Sequence, residues 1–186
     1  MYLYAAIFAL IPLIIYHVHF QVVYQTLLPP LNRRTIAAPS VKKVSNAEIV
    51  TLTAKDGTVL KAFWMPVDDA VATIVYFQGN AGTSGRYLKN VVRMRKARHV
   101  NIFMVPYRGY GPSEGCPSIH GIQLDCDESM AFLAERCPKT PLIAVGTSLG
   151  GGIALDTVSR YLKRFSGIMV VNSFTSIQEL LLEKGG

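Results

Sequence analysis

The sequence is poor in the residues that mark secreted and metal-binding proteins. It has three cysteines in 186 residues and no Asn-x-Ser/Thr sequence, so no disulfide framework or N-glycosylation site is indicated, in agreement with a reducing compartment. Cys126 and Cys137 are too far apart in one predicted helix for a disulfide within it, and we expect buried free thiols. No cluster of His, Cys and acidic residues has metal-ligand spacing, so we predict no metal.

Charge is missing from the first 32 residues, which contain no Asp, Glu, Lys or Arg. Residues 1–24 are almost wholly apolar, and because about 20 apolar residues cross a hydrocarbon core, we predict one transmembrane helix that anchors the protein in a bilayer. A cleaved signal peptide, which would need a basic start, and a buried helix are the alternatives. Residues 25–45 form the predicted linker, and residues 46–186 form the predicted folded domain.

The first charged residues after this apolar segment are basic, namely Arg33, Arg34, Lys42 and Lys43. The positive-inside rule therefore favours the cytosol for the domain of a single-pass membrane protein.

The net charge of +7 raises the question of a nucleic-acid partner. The densest basic stretch lies in residues 86–98 and coincides with a helical pattern, which indicates a solvated outer helix face. No aromatic residues are interleaved with these charges as they are in single-strand binders, so we predict no nucleic-acid partner. Contact of this helix with anionic lipid headgroups is the alternative for a membrane-anchored domain.

Strand and helix patterns alternate through the domain. An antiparallel hairpin is predicted first, with its turn at Lys55-Asp56-Gly57, followed by apolar runs that indicate strands buried on both faces. The alternation predicts an α/β sandwich of three layers with a mostly parallel sheet. The predicted strands are 47–53, 59–65, 71–77, 100–105, 142–145 and 166–171, and the predicted helices are 84–98, 119–136, 149–163 and 176–183. The last of these strands would present an exposed apolar edge.

The most specific motif is Gly146-x-Ser148-x-Gly150, between an apolar strand and a helix that opens with small residues. A serine on so tight a turn has strained backbone geometry, and the residues two before and two after it must lack bulk. In this arrangement the acid and the histidine that activate the serine follow it in the chain. After Ser148 the sequence has the acids Asp156, Glu179 and Glu183 and no histidine.

Two glycine-rich loops precede this motif. The segment from Gly79 has serine at position 84, where a phosphate-binding loop needs its second glycine, and the segment from Gly109 has Glu114 where a dinucleotide-binding loop needs its third. We therefore predict loops that line a site and no nucleotide cofactor. Within the second loop, Arg108 is a candidate ion-pair partner of Asp125 or Glu128.

The motifs Gln78-Gly-Asn-Ala-Gly, Tyr107-Arg-Gly-Tyr-Gly-x-Ser, Gly146-x-Ser-Leu-Gly-Gly and Asn172-Ser-Phe-Thr-Ser together resemble the α/β-hydrolase superfamily. More narrowly, they are similar to the membrane-anchored branch around alpha/beta-hydrolase-domain-containing protein thirteen. The resemblance implies a serine hydrolase that cleaves an ester, thioester or amide bond in a small molecule, a lipid or an acyl-protein, without a cofactor.

The resemblance also implies roles for individual residues. Ser148 would be the nucleophile, and the backbone N–H groups of Asn80 and Leu149 would form the oxyanion hole, with Gln78 as a second candidate in the same loop.

This sequence departs from the family pattern at several positions. Gln78 stands where the family usually has histidine, Pro106 where an acid is common, and Thr147 where a basic residue is frequent. The resemblance implies about eight strands, of which about six are expected here, so we expect a C-terminally truncated domain without the triad acid and histidine. His120 could replace the base only by reversing the chain order, and an ordinary surface histidine is the simpler interpretation. The prediction is thus a hydrolase that is incomplete or inactive as given, with a catalytically dead membrane-bound binding or scaffold module as the alternative.

Overall fold

A computed structural model describes residues 47–80, 91, 99–104 and 107–173 of the protein. These residues form a six-stranded sheet with the strand order β1-β2-β4-β3-β5-β6. The elements are β1 (Glu48–Thr53), β2 (Val59–Met65), β3 (Ala72–Phe77), β4 (Val100–Met104), α1 (Ile119–Arg136), β5 (Leu142–Thr147), α2 (Leu149–Arg160), a 3-10 turn (Leu162–Arg164) and β6 (Phe165–Val171). All six predicted strands and both predicted helices within these ranges are confirmed.

Several predictions lie outside the described residues. They are the transmembrane helix at 1–24, the linker at 25–45, the helix at 176–183 and, apart from Val91, the basic helix at 84–98. Among the helices of the described ranges, none has the length and apolar character needed to cross a membrane.

The sheet is antiparallel at one end and parallel through the rest. β1 and β2 form the predicted hairpin, in which Gly57 has a φ of +85° and Asp56 Oδ1 accepts a hydrogen bond of 3.2 Å from the Thr58 amide. β2 pairs antiparallel with β4, whereas β4, β3, β5 and β6 run parallel to one another. Parallel strands end at the same edge of a sheet, so the loops after β3 and β5 lie side by side.

Apolar side chains are buried on both faces of the sheet. On one face, α1 and α2 pack over the strands, and Phe132 of α1 stacks on Phe103 with ring centroids 5.2 Å apart and meets Trp64 edge-on at 5.9 Å. On the other face a second cluster contains Phe63, Ile102 and the helical residue Val91. The predicted α/β class, with a mostly parallel sheet covered by helices, is therefore confirmed.

β6 lies at the end of the sheet, and its apolar side chains remain exposed. Within the described part of the chain no strand pairs with its outer edge. Ile168, Met169, Val170 and Val171 are between 38% and 55% exposed, as predicted for an apolar edge strand. Such strands are sites where another chain or another segment can pair.

The three cysteines are free, as predicted. Cys126 and Cys137 are buried, and Cys116 is exposed in the loop before α1. Burial raises the pKa of the Cys126 thiol to about 12, so this side chain stays protonated and unreactive at neutral pH.

Candidate active site

Ser148 occupies the sharp turn between β5 and α2 that the sequence predicts. Its φ is +53° and its ψ is −122°, a conformation that side-chain-bearing residues rarely adopt. Residues held in such regions carry about 1–3 kcal/mol of strain, and they persist only where the surrounding structure fixes them.

The glycines around Ser148 are required by close backbone packing. A Cβ on Gly146 would lie 2.7 Å from the Gly151 Cα, and a Cβ on Gly150 would lie 2.6 Å from the Gln78 carbonyl oxygen and against that of Phe77. A Cβ on Gly151 would lie 2.6 Å from the Ser173 Cβ. The predicted need for small residues on both sides of the serine is thus confirmed, because α2 begins in direct contact with the end of β3.

Three hydrogen bonds fix the backbone of Ser148. Its amide donates to the Val171 carbonyl at 3.0 Å, and its carbonyl accepts from the Gly151 amide and from the Ser173 hydroxyl, each at 2.8 Å. The Ser148 side chain is half-buried, and no described residue forms a hydrogen bond with its Oγ. Ser173 was part of a motif singled out in the sequence, but its contact with the elbow was not predicted.

The loop after β3 lies against the start of α2. Gln78 is buried, and its carbonyl accepts a hydrogen bond of 3.0 Å from the Tyr107 hydroxyl. The Asn80 side-chain oxygen accepts a hydrogen bond of 2.6 Å from the Tyr110 hydroxyl. Because Gly150 also contacts Gln78, the two predicted oxyanion segments, at Gln78–Asn80 and at Leu149, meet at one edge of the sheet.

Arg108 is the centre of a charged network behind this edge. Its guanidinium pairs with Asp125 of α1 at 2.7 Å and with Asp56 of the β1–β2 turn at 2.6 Å. The Arg108 side chain lies across Gly121, where a Cβ would come within 2.6 Å of it. The predicted pair with Asp125 is confirmed, the alternative Glu128 is not the partner, and Asp56 is an addition that sequence spacing could not reveal.

The Arg108 network has electrostatic consequences. Burial lowers the pKa of Arg108, but the hydrogen bonds that its guanidinium donates to Asp125 and Asp56 outweigh burial and raise that pKa above its usual value. The hydrogen bond from Arg108 holds the pKa of Asp56 well below its usual range. Arg108 and Asp56 therefore stay charged at neutral pH, whereas burial raises the pKa of the Asp125 carboxyl in spite of its hydrogen bonds from Arg108. The network ties the loop after β4 to α1 and to the hairpin.

The described histidines and the first acid after Ser148 lie away from the elbow. His99 and His120 are both exposed, and no described contact joins either of them to Ser148. Asp156 faces α1, where it accepts hydrogen bonds from Gln123 at 3.2 Å and from Arg160 at 3.1 Å. The described ranges contain no group of three or more potential metal ligands.

Residues 68–184 match the protein family described as serine aminopeptidase, S33 (Hydrolase_4). The match covers more than half of the chain, and it includes the loop after β3, the elbow and β6. The chain belongs to the α/β-hydrolase superfamily. The resemblance drawn from the motifs is thereby confirmed.

Curated relatives and solved structures agree with this assignment. Protein bem46 of Schizosaccharomyces pombe is 30% identical over 164 residues, which are 86% of this chain and 54% of that protein. The uncharacterized membrane protein YNL320W of Saccharomyces cerevisiae is 31% identical, over 72% of this chain and 48% of its own length. The lysophosphatidylserine lipase ABHD12 of Danio rerio is 32% identical, over 57% of this chain and 29% of its own length.

An alpha-beta hydrolase from Vibrio vulnificus has the same fold, with a TM-score of 0.71 at 19% identity over 86% of this chain and 59% of that one. The Pyrococcus furiosus esterase Pf2001 superposes with a TM-score of 0.62 at 19% identity, over 75% of this chain and 54% of that one. At this identity the likeness concerns the fold alone. The chain spans about half the length of the first curated relatives it matches.

Proposed function

We propose that this protein is a membrane-anchored serine hydrolase that cleaves an ester, thioester or amide bond through an acyl-enzyme on Ser148. The observation that carries the proposal is the strained backbone of Ser148 between β5 and α2. Three hydrogen bonds and three glycines maintain this strained conformation. A strained serine at the end of a strand is the arrangement that exposes a nucleophile at the edge of a sheet.

In the proposed reaction, Ser148 Oγ attacks the carbonyl carbon of the substrate and gives its proton to the general base. Breakage of the bond from that carbon to the alcohol, thiol or amine releases this group with the proton, and water then hydrolyses the acyl-enzyme. The negative charge that develops on the carbonyl oxygen is stabilised by the backbone N–H groups of Asn80 and Leu149, with Gln78 as the second candidate in the loop. Each such donor is worth about 3–4 kcal/mol in the transition state. The proximity of the loop to α2 supports this assignment, since both donors must face one oxygen atom.

Acyl transfer also needs a base, because a protonated serine is a poor nucleophile. The sequence given has no histidine after Ser148, and Asp156 is engaged with Arg160 and Gln123. The proposal therefore assigns the base and the acid of the triad to no residue of the sequence given. His120 is exposed at the start of α1 and is not proposed as a replacement.

The substrate class and the location follow from the apolar segment and from the relatives. We propose that residues 1–24 anchor the protein in a bilayer, and the relative YNL320W is named as a membrane protein. The basic residues that follow this segment support a cytosolic position for the domain. An anchored enzyme lies beside lipids and acylated proteins, and ABHD12 is named as a lipase. We therefore propose a lipid or acyl-protein ester or thioester, or a small molecule of the same bond class, as substrate, with no cofactor.

Reaction with a fluorophosphonate probe in native membranes tests the proposal. We expect the wild-type protein to be labelled, Ser148→Ala to lose the label and Ser159→Ala, on the exposed face of α2, to keep it. Absence of label on the wild-type protein, or a label that survives Ser148→Ala, would contradict the proposal. An unlabelled wild-type protein would favour a catalytically dead membrane-bound binding or scaffold module.

A further inference from the structure

The loop that follows β4 is held in one conformation from several sides. The Gly109 amide donates to the Glu114 carbonyl at 2.8 Å, and the Glu114 amide donates to the Val59 carbonyl at 2.9 Å. Gly109 has a φ of +75°, and a Cβ there would lie 2.6 Å from the Pro117 Cδ. Together with the ion pairs of Arg108, these contacts make the loop a rigid support.

Tyr107 and Tyr110 extend from this support toward the end of β3. Both side chains are buried, with exposed fractions of 1% and 4%, and their rings meet edge-to-face with centroids 5.7 Å apart. The Tyr107 hydroxyl donates to the Gln78 carbonyl, and the Tyr110 hydroxyl donates to the Asn80 side chain. Two buried phenols from one loop thus hold two residues of the facing loop.

The residue between the two hydrogen-bonded positions is Gly79, which has no side chain of its own to restrict it. Glycine populates more backbone conformations than any other residue. The contacts at Gln78 and Asn80 fix the chain on both sides of it. The Gln78 carbonyl also lies against the backbone of α2 at Gly150. The loop after β3 is therefore held between the two tyrosines and the start of α2.

We propose that Tyr107 and Tyr110 are positioning residues that set the distance between the Asn80 amide and the Leu149 amide. This inference rests on the proposed function, because the distance matters only if both amides serve one oxyanion. Hydrogen-bond donors stabilise the developing oxyanion effectively only when the protein holds them in position before the reaction. Arg108, which lies between the two tyrosines in the chain, supports them indirectly, because its ion pairs hold their loop against α1 and the hairpin.

The test compares Tyr107→Phe and Tyr110→Phe with wild type in the full-length membrane protein. Both changes keep the ring in the core and remove one hydroxyl. Tyr161→Phe is the matched control, because the Tyr161 hydroxyl also donates one hydrogen bond, to Asp127 at 2.9 Å, and Tyr161 lies at the end of α2 opposite to Ser148. Hydrolysis of p-nitrophenyl butyrate gives kcat and KM, and hydrogen exchange of the Gly79 and Asn80 amides reports on the loop without turnover.

We expect kcat to fall about tenfold in each tyrosine variant with KM unchanged, since loss of a whole oxyanion donor costs roughly 10²–10³ in kcat and a loosened donor loses part of that. The Gly79 and Asn80 amides should exchange faster in both variants and not in Tyr161→Phe. If the wild type is active and neither kcat nor amide hydrogen exchange changes in Tyr107→Phe and Tyr110→Phe, this inference is overturned and the proposed function still stands. A rise in KM alone, or an equal fall in Tyr161→Phe, would also overturn it. An unreactive wild type would overturn the proposed function and this role with it.

Discussion

Two glycines at the start of α2 have opposite predicted responses to the same substitution. A Cβ at Gly150 would lie 2.5 Å from the Phe77 carbonyl carbon and 2.6 Å from the Gln78 oxygen, which are backbone atoms that a rotamer change cannot move. A Cβ at Gly152 would meet nothing within 4 Å. Both residues are helical, so Gly150→Ala and Gly152→Ala share the same gain in helix propensity and differ only in packing.

The expected magnitudes follow from this difference. Replacing an interior helical glycine by alanine contributes about 0.5–1 kcal/mol of stability, and Gly152→Ala should gain that amount. Overpacking costs about 1–3 kcal/mol and more where the obstacle is backbone, so Gly150→Ala should be destabilised on balance. Because the gain in helix propensity is common to both, the two variants should differ by the packing cost alone, about 1–3 kcal/mol or more, which is a separation of several degrees in melting temperature for a chain of this size.

Trp64 provides the assay for this pair of variants. It is the only tryptophan of the sequence and is 4% exposed in the core beneath α1, so its fluorescence reports unfolding of the domain. Urea unfolding of the full chain in detergent micelles gives the midpoint for each variant. If Gly150→Ala were as stable as Gly152→Ala, the close approach of α2 to the end of β3 would be refuted, and with it the geometry on which the site depends.

Three further predictions concern the charged network and the thiols. Arg108→Met should destabilise the protein by about 3–5 kcal/mol in the same urea assay, because the fully buried Asp125 carboxylate loses its guanidinium partner and keeps only the hydrogen bond from the backbone amide of residue 108. The double variant with Asp125→Leu should recover part of the loss. The pKa of Asp56 is lower in the folded protein than its unfolded value of about 3.9, so the stability that Asp56 contributes is complete above the unfolded pKa and is lost as the pH falls through the folded pKa. Acid should therefore lower the urea midpoint of the wild type more than that of Asp56→Asn. A thiol reagent at about pH 8 should modify Cys116 and spare Cys126 in the folded protein, which mass spectrometry would check; modification of Cys126 before unfolding would contradict its burial.

The fold could be predicted from the sequence to the extent that it depends on local patterns. The apolar runs at 72–77, 100–104 and 142–147 are strands buried on both faces, and the alternation with helices gives the α/β class. The order of the strands could not be read from periodicity. β4 lies between β2 and β3 in the sheet although it follows β3 in the chain, and this depends on how the connection between them crosses the sheet.

The candidate site divides in the same way. Gly146, Ser148 and Gly150 were predictable because the sterics of one tight turn act over five residues. The hydrogen bonds of Tyr107 and Tyr110 were not predictable, because their partners lie 29 and 30 residues earlier in the chain, and nothing in the local pattern specifies a phenol's partner across two loops.

The conformation of Ser148 depends on the last described strand of the sheet. Of the three hydrogen bonds that fix its backbone, one goes to Val171 at the end of β6 and one comes from Ser173 just beyond it. A residue with positive φ relaxes unless its neighbours hold it, so the strain at the elbow persists only while β6 stays paired with β5. Since the apolar side chains of β6 are largely exposed within the described part of the chain, whatever stabilises or displaces that strand also sets the geometry of Ser148. The pairing of β6 with β5 and the backbone conformation of Ser148 are therefore coupled through two hydrogen bonds.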